Sequence, residues 1–312
     1  MRASIVIPTF NAGPDISILL DRLRAQKPNI PQEIIAIDSG STDDTRERVR
    51  AAGGRVIEWH QPFNHGLTRD AGIAASSGDI VFLTVQDALP ASDDWLARVA
   101  AHFEDESVAG VTTRQVPPAG GPLELQIKAR LDAAACSDPQ RISLAAHPDY
   151  SRYSAEQRLE LYRFDNVCSA VRRSVWEKIQ FGRCRYAEDF LWAKHVLEAG
   201  HVLIRDPSAA ASVVHAHRRS FVYEFRRALL DAWVLDEVFD FRYSFIKKLN
   251  RFKALAARTS GEAGQNGAPA RMGALKTYTA HVLARGAYGA YRTMMKPLGI
   301  GQGALGVITD GI

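Results

Sequence analysis

The sequence predicts an α/β fold, a mainly parallel sheet flanked by helices with a helical extension at the C-terminus. Three observations carry this. Across residues 3–112, short apolar runs of strand length alternate with amphipathic stretches at helical spacing, the pattern of a parallel sheet covered on both faces. Beyond Phe221 the apolar residues recur only at helical spacing. The chain of 312 residues, 46% hydrophobic and 24% charged, is ample for a buried core and excludes disordered, collagen-like and coiled-coil readings.

Ile5-Val6-Ile7, closed by Pro8 and a turn cluster at 11–14, reads as a buried strand. Ile16, Leu19, Leu20 and Leu23 then mark one face of an amphipathic helix. A second strand at 34–37 ends at Asp38, and a helix runs to about residue 52, where Gly53-Gly54 stops it. Val56-Ile57 begins a third strand, followed by a helix over about 68–76 and a fourth strand at 80–83. A helix over about 95–103 leads to a fifth strand at 108–112. In such sheets ligands sit at the carboxyl ends of the strands, where Thr9, Asp38 and Asp87 fall.

Across 117–162 the pattern weakens to one helix, about 123–134, and a polar loop. A strand at 167–171, helices at about 173–179 and 189–199, and short strands at 202–204 and 212–214 follow. From Phe221 the chain reads as helical to about residue 257, then as a Gly- and Ala-rich linker and a last helix over about 275–295.

The net charge of +4 is too small to indicate nucleic-acid binding, but it is unevenly spread. Residues 216–312 hold 15 Lys or Arg against 7 Asp or Glu, net +8, leaving residues 1–215 at net −4. Cys136, Cys168 and Cys184 are odd in number and lack ligand spacing, which fits a reducing compartment. The first apolar stretch stops at Pro8, too short for a signal peptide, and no run approaches the ~18 apolar residues of a membrane span. The expected location is cytoplasmic, with contact at the inner face of a membrane open to the chain.

Five constellations can carry chemistry. Pro8-Thr9-Phe10-Asn11 and Asp38-Ser39-Gly40-Ser41-Thr42-Asp43 follow the first two strands. A strand-end carboxylate can accept hydrogen bonds from a base edge or ribose hydroxyls, although Ser41, Thr42 and Asp43 equally suit a helix cap. His65-Gly66-Leu67-Thr68-Arg69 offers backbone amides, a hydroxyl and a guanidinium to a diphosphate at a helix start; a solvated Arg69 is the plain alternative. No Walker loop or G-x-G-x-x-G motif follows any strand.

Gln86-Asp87-Ala88-Leu89-Pro90 places a carboxylate that can hold a divalent cation, or simply a turn Asp before Pro90. Glu188-Asp189 opens a helix, where acidic residues favour the dipole and Asp189 can also act as a general base. His215-Ala216-His217 ends a strand with both imidazoles on one side, and either can complete a metal site begun by Asp87.

The order of these motifs resembles the family 2 glycosyltransferases, over about residues 3–225. The Asn64-His65-Gly66, Gln86-Asp87-Ala88-Leu89-Pro90 and His-Ala-His forms look most like a bacterial rhamnosyltransferase-like branch that builds cell-surface glycans. The resemblance implies a GT-A fold, a nucleotide-diphosphate sugar donor, inversion at the anomeric carbon, and a glycan or lipid-linked acceptor. It implies a catalytic domain over 1–220, with a nucleotide-sugar half at about 1–115 and an acceptor half at about 116–220. A basic helical region, 221–312, follows with its linker near 260–270.

Carried over residue by residue, Thr9, Asn11, Asp38 and Ser41 would bind the nucleoside, and Pro8, His65, Gly66, Arg69 and Gln86 would line the donor. Asp87 would hold the diphosphate and a divalent cation, Mg2+ or Mn2+, with His215 as the late metal ligand and His217 its substitute. Asp189 would be the base, with Glu188 and Trp192 on the acceptor side. Two departures stand out: Asp87 is the only acidic residue of its motif, and Asp70 replaces the usual Asn after Arg69, which is expected to weaken that turn's contact with the donor.

An inactive nucleotide-sugar-binding partner in a glycan-assembly complex is the competing reading; a nucleotidyltransferase lacks the Gly-rich loop expected after the first strand. In the tail, Phe221, Phe225, Leu229, Leu230, Trp233 and Val234 alternate with Arg218, Arg219, Arg226 and Arg227. Phe241, Phe245, Leu249 and Phe252 continue the pattern with Lys247, Lys248, Arg251 and Lys253. This reads as helices packed with basic faces in water, as a surface for anionic lipid, or as a homo-oligomer contact.

Overall fold

The apolar runs of the first hundred residues become the middle of one sheet. The computed structural model describes residues 1–28, 30, 32–121, 125, 126, 129, 136–184, 186–215, 220–241 and 279–289. β1 (Ala3–Thr9), β2 (Gln32–Asp38), β3 (Arg55–Glu58) and β4 (Ile80–Thr84) are parallel and lie side by side as β3-β2-β1-β4. Ile5, Val6, Ile7, Ile35, Ile37, Phe82 and Leu83 are wholly buried, as strands covered on both faces require. The covering helices are α1 (Pro14–Arg24), α2 (Thr45–Ala51), α3 (His65–Ala75) and α4 (Trp95–Ala101). α1 turns the predicted face inward, with Ile16, Leu19, Leu20 and Leu23 buried.

The sheet continues with β6 (Val108–Thr112), β9 (Cys168–Arg172), β10 (Val202–Arg205) and β8 (Gln140–Ile142), giving the eight-stranded order β3-β2-β1-β4-β9-β6-β10-β8. β9 inserts antiparallel between β4 and β6, and β8 is antiparallel to β10 at the edge. Reversal of β9 puts its amino end beside the carboxyl ends of β4 and β6, with Cys168 opposite Thr84 and Ser169 opposite Thr112. A second sheet of three short strands has β11 (Val213–Val214) between β5 (Leu89–Pro90) and β7 (Gln115–Val116).

Three differences from expectation have local causes. α3 begins at His65 rather than near residue 68 because the Asn64 side chain caps it, accepting from the Leu67 amide. A helix at α5 (Ala155–Leu161) arises inside the stretch read as polar loop, from a capping box between Ser154 and Gln157. Strands β5, β7 and β8 span only two or three residues, too few to show a period. The remaining helices of this part are α6 (Arg173–Trp176) and α7 (Glu188–Glu198).

The chain divides into two compact units, one of residues 1–118 and 131–216 and one of 119–130 and 217–312. In the second unit α8 (Phe221–Phe239) is capped by Ser220 and ends where Asp240 turns left-handed; the rest of the expected helical stretch, to about 257, lies outside the described residues. Residues 279–289 are helical, and Ala284 and Tyr288 pack on Ala228, Leu229 and Ala232 of α8. The Tyr288 hydroxyl donates to Asp236 at 3.0 Å. Among the described residues no helix is long and apolar enough to cross a membrane. The predicted linker, the basic pattern at 242–257, Arg218 and Arg219 lie outside the described residues.

α3 lies close over β1 and β2 because Gly72 has no side chain. A Cβ there would run into Val6 Cγ1 and stand 3.1 Å from Ile37 Cγ1. In an open helix Gly→Ala gains about 1 kcal/mol, but overpacking costs about 1–3 kcal/mol. Gly72→Ala is therefore expected to lower stability by about 1–2 kcal/mol, seen as a lower urea midpoint with an unchanged slope.

Candidate active site

Two turns at the carboxyl ends of β1 and β2 are stitched together by buried carboxylate chemistry. Asp38 is 1% exposed, and each of its oxygens accepts two hydrogen bonds. Oδ1 takes the amides of Gly40 (3.2 Å) and Ser41 (2.8 Å), and Oδ2 takes the hydroxyls of Thr9 (3.1 Å) and Ser41. A carboxylate offers about four acceptor positions, so Asp38 shapes this turn and has none over for a base edge. Asn11, left-handed at φ 46°, accepts from the Thr42 amide at 2.8 Å, while its own amide donates to Ser41 Oγ at 2.9 Å. Pro8 is partly exposed and Thr9 and Ser41 are buried, so their polar atoms serve the turn.

Gln86 pins this cradle to the end of β4. Its side-chain oxygen accepts from the Phe10 amide at 2.8 Å and its nitrogen donates to the Phe10 carbonyl at 3.2 Å. Phe10 itself is 56% exposed, a flat apolar face held at the rim by a fixed backbone. Sequence reasoning quoted this residue without giving it a role; a bulky aromatic immediately beyond a buried strand was the available signal.

The small sheet brings the next group together. Val213 pairs with Gln115 and Val214 with Val116, while β5 on the other side follows directly from Asp87-Ala88. His215 Nε2 lies 3.4 Å from Asp87 Oδ1, and His215 Nδ1 is 2.7 Å from Gln115 Oε1. Gln115 Nε2 donates in turn to Asp165 Oδ2 at 2.5 Å. A hard carboxylate oxygen beside an imidazole nitrogen is a donor pair that suits Mn2+ or Mg2+. Among the described residues no third His, Cys, Asp or Glu joins them, and His217 lies outside those residues.

On the far side, α3 and α7 are clamped. Arg69 Nη1 donates to Glu188 Oε1 at 2.8 Å with both side chains buried, and Asn166 Nδ2 reaches the same oxygen at 3.3 Å. Burial alone would raise the Glu188 carboxyl, but the charge of Arg69 and then His65 bring it below its ordinary value. Asp189 is half-buried, and its Oδ1 accepts the Phe190 amide at 2.8 Å. Loss of water, then the negative charges of Glu188 and Asp165, hold its carboxyl well above the usual carboxylate range. Ala187, immediately before, is left-handed at φ 60°, a strained conformation of about 1–2 kcal/mol for a residue with a Cβ. The proton affinities of two neighbouring acids are thus pushed in opposite directions, the kind of separation acid–base chemistry uses.

Several expected roles change. Arg69 and Glu188 are committed to each other, so Arg69 is not a surface donor contact and Glu188 is not an acceptor contact. Trp192 is fully buried, stacked on Phe181 with its indole donating to the Ile179 carbonyl, and belongs to the core. A Cβ on Gly66 would overlap the Gly182 carbonyl oxygen, so this glycine admits the neighbouring loop rather than a ligand. His65 is partly exposed, edge-on to Phe63 at 4.7 Å and 3.4 Å from Arg69 Nη1. Asp70 faces that same loop, accepting Trp176 Nε1 (2.7 Å) and the amides of Phe181 (3.1 Å) and Gly182 (2.7 Å). Sequence reasoning missed Asp165 and Asn166, because only the reversed direction of β9 brings its amino end to this edge, and Gln115, because its strand spans two residues and shows no period.

The fold and this edge define a sugar transferase of GT-A architecture. The mannosyltransferase PcManGT from Pyrobaculum calidifontis, solved in complex with GDP-Man and Mn2+, matches with a TM-score of 0.57 at 18% identity, over 99% of this chain and 85% of that one. Residues 4–180 match the family described as Glycosyl transferase family 2, and the chain belongs to that family. The O-antigen chain rhamnosyltransferase WbaN of Salmonella anatum is 29% identical over 239 residues, 72% of this chain and 69% of that protein. RfbN of Salmonella typhimurium, of the same description, is 28% identical over 234 residues, 73% of this chain and 70% of that protein.

Asp70 supplies two acceptor oxygens to three donors, which an amide cannot do. Asp70→Asn would turn an N–H toward one of those donors, at a cost of about 1–3 kcal/mol. The expected result is faster hydrogen exchange at the Phe181 and Gly182 amides. Unchanged exchange there would remove the anchoring role.

Proposed function

We propose that this enzyme inverts configuration as it moves a sugar from a nucleotide-diphosphate donor to a hydroxyl of a cell-surface glycan or its lipid-linked precursor. The observation that carries the reading is the placement of Asp189: a partly exposed carboxylate at the start of α7, near enough to Asp165 to feel its charge, while Asp165 reaches the Asp87–His215 pair through Gln115. Rhamnose is the sugar we favour, on the similarity to the two Salmonella rhamnosyltransferases.

In this reading the nucleoside lies along the 9–13 and 38–45 turns, with the exposed Phe10 face against the base. Asp87 and His215 would hold a divalent cation, which when bound supplies a Lewis acid for the leaving diphosphate. The Mn2+ in the mannosyltransferase structure supports that choice. Asp189 takes the proton of the attacking hydroxyl as its oxygen bonds to the anomeric carbon, and the nucleoside diphosphate departs from the opposite face with the electron pair of the broken bond. A lipid-linked acceptor would also give the basic tail a use, against an anionic membrane surface.

A general base works only when ionised, and a raised pKa moves that requirement upward. kcat/KM is therefore expected to rise with pH through an apparent pKa above the ordinary Asp value, and Asp189→Asn should lose that limb. The same variant should lose about 10²–10⁴ in kcat while donor binding persists. Nucleoside diphosphate release, measured with and without acceptor, reads both quantities. Across a panel of nucleotide sugars, turnover should disappear in EDTA and return with Mn2+ or Mg2+. No turnover with any donor and acceptor would favour a binding protein instead.

A further inference from the structure

We infer that Gln115 is a positioning residue: its carboxamide, oriented by Asp165, fixes the His215 ring with the proton on Nδ1 and Nε2 turned toward Asp87. Gln115 and Val213 are register partners in the β7–β11 pair, and the His215 amide donates to the Val116 carbonyl at 2.9 Å. Alternation then sets His215 on the face shared by Val213 and Gln115. Asp165 is equally fixed, since its amide donates to Thr112 Oγ1 at 3.1 Å and its Oδ1 accepts the Val167 amide at 3.0 Å.

The remaining steps follow from donor and acceptor inventories. An ionised carboxylate only accepts, so the Asp165 Oδ2 contact at 2.5 Å requires the NH2 end of the Gln115 amide. The amide oxygen must then face His215 Nδ1 at 2.7 Å, and an oxygen there requires an N–H. In the neutral ring Nε2 is left as the lone-pair nitrogen, 3.4 Å from Asp87 Oδ1. A partner beyond the ligand that sets the tautomer typically changes metal affinity by about 10–100-fold. The use of Nε2 rests on the cation site proposed above; the tautomer does not.

The experiment uses the full chain labelled with 15N, without added metal, at a pH where the ring is neutral. Long-range 1H–15N correlations of His215 should show Nδ1 protonated and Nε2 bare. Gln115→Leu should give a mixture or the opposite form, whereas Gln115→Glu, which keeps an acceptor oxygen, should retain the Nδ1 proton. An Nε2 proton in the unaltered protein, or an unchanged tautomer in Gln115→Leu, overturns the inference. In parallel, Mn2+ binding read by electron paramagnetic resonance should weaken about 10–100-fold in Gln115→Leu and less in Gln115→Glu. A changed tautomer with unchanged Mn2+ affinity would uphold the positioning of His215 and remove it from the cation site.

Discussion

The buried pair of Arg69 and Glu188 is the constraint on which the catalytic edge depends. It joins α3, which packs on β1 and β2, to α7, which carries Asp189, through one 2.8 Å contact out of water. Breaking such a pair costs about 3–5 kcal/mol because an unpaired charge remains buried. Around it, Asn64 holds the Cys184 carbonyl at 2.6 Å, Asp70 holds the amides of Phe181 and Gly182, and Gly66 lets that loop come close. Residue types that suggest phosphate binding in the sequence serve here to place a helix start. Arg69 lowers the Glu188 carboxyl, and the Glu188 charge adds to the burial that raises the carboxyl of Asp189 beside it, so the proton affinity of Asp189 is tied to the packing of α3 on α7.

A second constraint is the reversed direction of β9. In a wholly parallel sheet its amino end would lie at the opposite edge from Asp38 and Asp87. Running antiparallel between β4 and β6, it brings Asp165 and Asn166 to the working edge. Asn166 then supports Glu188 and Asp165 supports Gln115, so one turn touches both halves of the site. The three-stranded sheet completes the arrangement by drawing His215 to the segment after β4.

What could be read in advance divides along physical lines. The strands of the first half carry apolar runs separated by amphipathic helices, so their order and the strand-end position of Asp38 were legible. Asp189 was legible as an acid at a helix start, and the Asp87–His215 meeting as two ligand types near strand ends. Strand direction leaves no trace in a five-residue strand such as Cys168–Arg172, which hid Asp165 and Asn166. Two-residue strands show no period, which hid Gln115. Arg69, Gly66 and Trp192 were misjudged for another reason: composition names what a side chain can bind, while burial decides what it does bind.

That misjudgment bears on the charge at the site. Asp87, Asp165, Glu188 and Asp189 gather near the carboxyl edge, and a diphosphate brought to them meets negative charge at short range, where screening by salt is weak. Arg69 would be the natural cation to offset this, but its Nη1 is committed to Glu188 and to the His65 carbonyl at 3.3 Å. Burial beside Glu188 and Asp165 raises the proton affinity of Asp189, which works against a full negative charge there. A divalent cation held by Asp87 and His215, as proposed above, would meet that need where a single protonated imidazole would meet half of it. The same burial that commits Arg69 to Glu188 is the reason the proposal gives the leaving-group charge to the Asp87–His215 pair.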